Sequence, residues 1–234
     1  MYGYYGYGYF SSMIFLLPAI ILTMYAQGKV NAAYSRYAQV MSRKGYTGAQ
    51  VARMILDRNG LSHVPVELTQ GRLSDHYDPR KKVMRLSPSV YKDPSIASAC
   101  IAAHESGHAI QHGRGYLPLS LRNAIAPVVS LVSNLAWPLL IVGLMLGRSQ
   151  QGNFLFGIGV LFFLGAVVFQ LITLPVEFNA SKRALAQLDE MGILIPEENA
   201  GAKKVLSAAA LTYVAALAMA VANLIRILAM RGRD

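Results

Sequence analysis

Apolar residues concentrate in four long runs, at about residues 10–26, 125–147, 154–176 and 205–228, and the segments between them mix polar and apolar positions more finely. Each run approaches the roughly 20 residues that a helix needs to cross a bilayer. The pattern predicts four spanning helices. In the fourth, Asn223 and Arg226 interrupt the apolar face, so a helix buried or lying on the membrane surface is the alternative reading there.

The segment 27–124 carries a different pattern. Thr47 with Gln50 forms a capping box, Asn59-Gly60 supplies a stop, and Val51, Met54 and Ile55 fall on one face between them. A short amphipathic helix is expected. Val64 to Thr69 and Lys82 to Leu86 read as short strands around Gly71 and Asp78-Pro79. Asp93-Pro94 then reads as an N-cap with proline at the first helical position, opening a helix to His112. The expected fold is a mainly α membrane protein with about four transmembrane helices and a small α+β cytosolic domain.

Composition agrees: 54% of the 234 residues are hydrophobic and 15% are charged, with a mean hydropathy of +0.36. The first run reads as a retained anchor, because no Lys or Arg precedes it and no A-x-A site follows. Residues 1–9 form a Tyr/Gly-rich tail to which no chemistry is assigned.

Charge orients the chain. Lys and Arg number none before the first run, 14 in 27–124, one in 148–153, four in 177–204 and three from Arg226 onward. The positive-inside rule places segments 27–124 and 177–204 in the cytoplasm. The net charge of +10 is scattered and lacks any nucleic-acid motif, so anionic headgroups are its expected counterpart and no nucleic-acid partner is expected. Cys100 is the only cysteine, which excludes an internal disulfide.

Within the last cytosolic helix stands His104-Glu105-Ser106-Gly107-His108, the H-E-x-x-H pattern. Positions i and i+4 lie about one turn apart on one helix face, so two imidazoles there can meet one metal ion. Glu105 follows the first histidine, where a carboxylate can take the proton of a metal-activated water and pass it on to a leaving amine. A bare match of this kind arises by chance, and context decides. The flanking residues are small and apolar, and a His-Glu-His cluster on a packed helix needs a partner such as a metal.

A catalytic zinc takes three protein ligands. His112 is excluded by reach, lying eight residues or about 12 Å along the axis from His104. The extended metzincin pattern is absent, since Gln111 and Arg114 stand where it requires Gly and His. His63 and His76 remain open, and Glu177 is the better candidate, because two membrane crossings return it to the face that carries the motif.

Taken together, H-E-x-x-H, two spans and then Glu177-Phe178-Asn179-Ala180-Ser181 resemble the YugP-like family of membrane zinc metallopeptidases. More distantly they resemble the heat-shock and CAAX-prenyl-protease type. Leu73 to Arg80, Arg85-Leu86-Ser87 and Ala102 to His112 follow the same pattern in the same order. The resemblance implies one Zn2+ per chain held by His104, His108 and Glu177, with Glu105 as general base, in a prokaryotic cell membrane. One position departs: the distant relatives carry Asp four residues after the ligand Glu, and here that position is Ser181. Support for the zinc-binding histidines is therefore assigned among Asn179, Ser181, Asp75 and Asp78. His76 or Tyr77 is the candidate donor to a developing oxyanion, against an Asx-type turn at Asp75 to Asp78 that only satisfies the backbone.

The expected activity is peptide-bond hydrolysis at the cytosolic membrane face. The substrate would be a peptide or protein, membrane-associated or not, and a regulatory membrane protein is a further expected partner. A catalytically inactive zinc-binding scaffold is the alternative. A di-iron carboxylate site is excluded, because no second E-x-x-H element exists.

Overall fold

The computed structural model describes residues 12–231; the tail expected at 1–9 lies outside them. Over their described residues the four apolar runs fold as helices that extend beyond the runs. A 3-10 turn, Met13–Leu16, leads into α1, Leu17–Ala38; α5 is Leu117–Met145, α6 is Gln150–Glu190 and α7 is Pro196–Arg231. These are, among the described residues, four helices long and apolar enough to cross a membrane. The protein is a mainly α membrane protein.

The described chain forms two compact units. One gathers residues 12–25, 121–174 and 213–231 from the spanning helices. Two small buried clusters lie within it: Leu16 and Ala19 pack with Ala222, and Leu140 and Phe156 pack with Ile227. Gly159 lets α6 close on α5, since a Cβ there would lie 2.7 Å from Leu140 Cγ. Ile21, Met24, Leu131, Leu161 and Leu171 are exposed, an apolar surface suited to lipid rather than water.

The other unit holds residues 26–120 and 175–212. Within it α2, Gly48–Arg58, begins at the expected capping box: Thr47 Oγ1 accepts from Gln50 N at 3.3 Å and Gln50 Oε1 accepts from Thr47 N at 2.9 Å. Its inner face, Val51, Ile55 and Leu56, is fully buried, each side chain contributing about 1.5–3 kcal/mol. Three short strands follow, β1 at Val66–Leu68, β2 at His76–Asp78 and β3 at Val83–Leu86. Their order is β1-β3-β2, with β1 parallel and β2 antiparallel to β3. Two strands were expected here and three form; Tyr77 pairs with Met84, so Asp75 to Asp78 is not merely a turn.

A short helix α3, Pro88–Lys92, precedes the motif helix α4, Ile96–Gly113. The cap of α4 is a correction. Asp93 closes α3, and Ser95 is the N-cap, its hydroxyl accepting from Ser98 N at 3.1 Å. The hydroxyl is short enough to reach that amide with Ser95 extended, and Pro94 instead presents its carbonyl to Ser42 N.

Candidate metal centre

Small residues let α4 be covered closely. Ala99, Ala102, Ala103 and Ala109 are fully buried. At Gly107 an added Cβ would stand 2.6 Å from the Ala180 carbonyl oxygen of α6. The glycine in the middle of the motif is therefore what admits the backbone of α6. Glu177 lies one turn before Ala180, and that approach delivers its carboxylate to the histidines.

The rings of His104 and His108 are perpendicular, with centroids 4.8 Å apart. Both aim Nε2 at one atom, Glu177 Oε2, at 3.3 Å and 3.5 Å. Ligand atoms of all three residues lie within 4.8 Å of one another, and the side chains are 13%, 11% and 4% exposed. Two imidazoles and a carboxylate make the donor set of a three-ligand catalytic zinc.

Hydrogen bonds lie on the far side of both rings, and the one to His108 fixes its proton position. Gln111 is fully buried; its Nε2 donates to the Val176 carbonyl at 2.8 Å and to Asn179 Oδ1 at 3.1 Å. A carbonyl only accepts, so the amide cannot be turned over, and Oε1 must face His108 Nδ1, at 3.0 Å. His108 therefore donates from Nδ1, and in its neutral form it carries a lone pair on Nε2. That lone pair and a carboxylate oxygen face each other, an arrangement that a metal cation between them relieves, as a proton on Nε2 also would. His104 Nδ1 meets Ser181 Oγ at 3.2 Å. The residues present fit a metal.

Glu105 adjoins the cluster. Its Oε2 accepts from Tyr77 N of β2 at 3.0 Å. Burial among packed atoms pushes its carboxyl up to about 7, with the charges of Glu177 and Asp75 acting the same way against the lowering effect of His104 and the Tyr77 amide. Such a group can both take and return a proton near neutrality.

The other expected residues divide. Ser181 touches His104 directly, and Asn179 acts one step away, through Gln111 and with Arg183 Nε donating to it at 2.7 Å. Asp75 instead accepts from Ser87 N at 2.7 Å and from Ser87 Oγ, anchoring the start of α3. Asp78 accepts from the amides of Arg80 and Lys81, an Asx-type turn after β2. His76 is exposed, with Nδ1 at 2.8 Å from its neighbour Ser74 O. Tyr77 donates its amide to Glu105, and its hydroxyl lies 2.9 Å from His112 Nδ1. His63 and His112 stay outside the His104, His108 and Glu177 group. Gln111 and Gly107 were not singled out from the sequence. The one available signal for Gln111 was its place three residues after His108, on the same helix face.

With this geometry in view, the comparisons are specific. Residues 12–232 match the family described as "putative neutral zinc metallopeptidase". The chain belongs to this zinc metallopeptidase family. The "Putative membrane protease YugP" of Bacillus subtilis (strain 168) is 49% identical over 224 residues, covering 94% of this chain and 98% of that protein. No solved structure matches. For a zinc metallopeptidase the family implies zinc, and His104, His108 and Glu177 are the group that could hold it.

Proposed function

We propose that this protein is a membrane-integral zinc endopeptidase that hydrolyses peptide bonds at the cytosolic face of the cell membrane. One observation supports this most: His104 and His108 converge on one Glu177 oxygen, while Glu105 stands beside them held by a backbone amide. His104, His108 and Glu177 hold the metal; zinc, when bound, polarises the scissile carbonyl and acidifies water.

The chain's own residues do the rest. Glu105 takes the proton of the attacking water on a carboxylate oxygen and returns it to the leaving amine nitrogen, so its protonation state is restored over a cycle. Its buried setting makes both transfers accessible near neutral pH. Tyr77 N–H holds the carboxylate in place, and Ser181 and Gln111 hold the two rings. An extended substrate would lie along β2, an edge strand that pairs with β3 on one side only among the described residues. Lys and Arg enrichment in 27–124 and 177–204 supports the cytosolic assignment.

The test is Glu105→Gln on purified, zinc-loaded protein in detergent. Peptide cleavage should disappear while one zinc per chain remains. Cleavage that survives in that variant removes Glu105 as the base. Zinc retained by both proteins with no cleavage by either would favour the inactive scaffold.

A further inference from the structure

Beside the metal centre lies a second feature that the hydrolytic machinery does not use. A cavity of about 430 Å³ is lined by Leu61, Ile110, Asn59, Tyr77 and a set of basic groups, His63, Lys82, His112 and Arg114. No Asp or Glu lines it among the described residues. Half-buried Leu61 and buried Ile110 are its apolar lining, while Lys82 and Arg114 are exposed.

We infer that this cavity is a specificity subsite that receives an acidic side chain of the peptide substrate. The inference deepens the peptidase reading and takes from it that the ligand is a peptide. Its position rests on Tyr77, which belongs to both places: its amide holds Glu105 at 3.0 Å, and its hydroxyl meets His112 Nδ1 at 2.9 Å in the cavity wall. Catalytic carboxylate and cavity are thus one side chain apart. At roughly 3.3 Å per residue, an extended peptide with its scissile bond at Glu105 brings a residue one or two positions away to the cavity mouth.

The charge decides the class. Arg114 spends one N–H on Asn59 Oδ1 at 3.3 Å and keeps further donors, since a guanidinium has five. Lys82 holds a left-handed backbone, φ +51°, in the turn between β2 and β3. Glycine or asparagine would sit there with less strain, and the chain places a cation there instead. A basic side chain entering would meet like charges, and a neutral one would leave these donors without an anionic partner. A carboxylate gains charge-assisted hydrogen bonds with both.

The experiment uses the full-length, zinc-loaded Glu105→Gln protein in a neutral detergent, which removes turnover. Three fluorescent decapeptide mixtures, identical except for a central Glu, Gln or Lys, are compared by anisotropy. The Glu mixture should bind about 10-fold more tightly than the Gln mixture, with the Lys mixture weakest. Lys82→Gln with Arg114→Gln should erase that order while zinc content, read by metal analysis, stays at one per chain. The milder Lys82→Gln alone should narrow it. Equal or undetectable binding of the three mixtures, or an order that survives the double substitution, overturns the inference. Inorganic phosphate competing equally well with all three would also overturn it, since a peptide subsite distinguishes them.

Cleavage by the wild-type protein separates the two claims. Cleavage without acidic preference retains the peptidase and discards the subsite. Acidic preference in binding, with no cleavage by the wild type, retains the subsite and discards the peptidase.

Discussion

Gly107 faces the Ala180 carbonyl so closely that a single added methyl carbon would stand 2.6 Å from the oxygen. Backbone meets backbone there, and neither helix has a flexible side chain to yield. Gly107→Ala should therefore cost about 1–3 kcal/mol through overpacking and should push Glu177 away from the histidines. Thermal unfolding and zinc content read the two effects. Gly28→Ala is the control: nothing lies within 4 Å of its added Cβ, and the protein should be unchanged or slightly more stable. Full zinc occupancy in Gly107→Ala would show that the close approach is dispensable.

Gln111 should matter through both ends of its amide. Gln111→Met removes the acceptor for His108 Nδ1 and the donor to Val176 O, and should weaken zinc binding by about 10–100-fold, measured by competition with a chelating dye. Gln111→Glu restores an acceptor for the ring but points a second oxygen at the Val176 carbonyl. It should not rescue affinity. A fully active Gln111→Glu protein would show that the donor end is idle.

Removing zinc should loosen the unit of residues 26–120 and 175–212. A ligand that binds only the folded state stabilises it by RT ln(1 + [L]/Kd), so a chelator should lower the midpoint of thermal unfolding and added zinc should restore it. His104→Ala, His108→Ala and Glu177→Ala should each abolish the zinc-dependent shift. Ser181→Ala should reduce it only partly, since it removes one 3.2 Å contact and leaves the three donors in place. An undiminished shift in Glu177→Ala would move the third ligand elsewhere.

Acid sensitivity should have a component at Asp78. Amide hydrogen bonds from Lys81 and Arg80, with the Arg85 and Lys81 charges, hold its carboxyl below the ordinary range. The unfolded chain then binds the proton more readily. The contribution is present above the unfolded value of about 3.9 and is lost as pH falls through the lower folded value. In Asp78→Asn, which keeps the accepting oxygen but not the charge, the decline of melting temperature below about pH 4 should be shallower than in the wild type. Parallel declines would assign the acid sensitivity to other carboxylates.

The fold class was legible because a run of about 20 apolar residues has few other uses. The capping box at Thr47 was legible because both partners lie three residues apart. β2 was not, since His76-Tyr77-Asp78 has no alternation of apolar residues and owes its extended form to pairing with β3. The same holds for the start of α4. Asp93 and Ser95 are both good caps, and the choice between them depends on Pro94 meeting Ser42, more than fifty residues earlier. The motif announced two donors by spacing alone. Gln111 stayed silent because the acceptors that give it meaning, Val176 and Asn179, are 65 and 68 residues away.

Glu177 lies on a helix that runs unbroken from Gln150 to Glu190, directly after the expected last apolar residue of its span, Val176. No linker separates the ligand from the span. With the span ending at Val176, as the apolar run predicts, a rise of about 1.5 Å per residue would put the carboxylate within one turn of the hydrocarbon boundary, and on the proposed peptidase reading a scissile bond would have to come to that depth to meet it. Selection would then work as a ruler before it works as a pocket. On that reading a folded protein free in solution would hold its chain too far from the bilayer to be cut, whereas a segment emerging from the membrane, or lying against it, would pass through the reachable layer whatever its sequence.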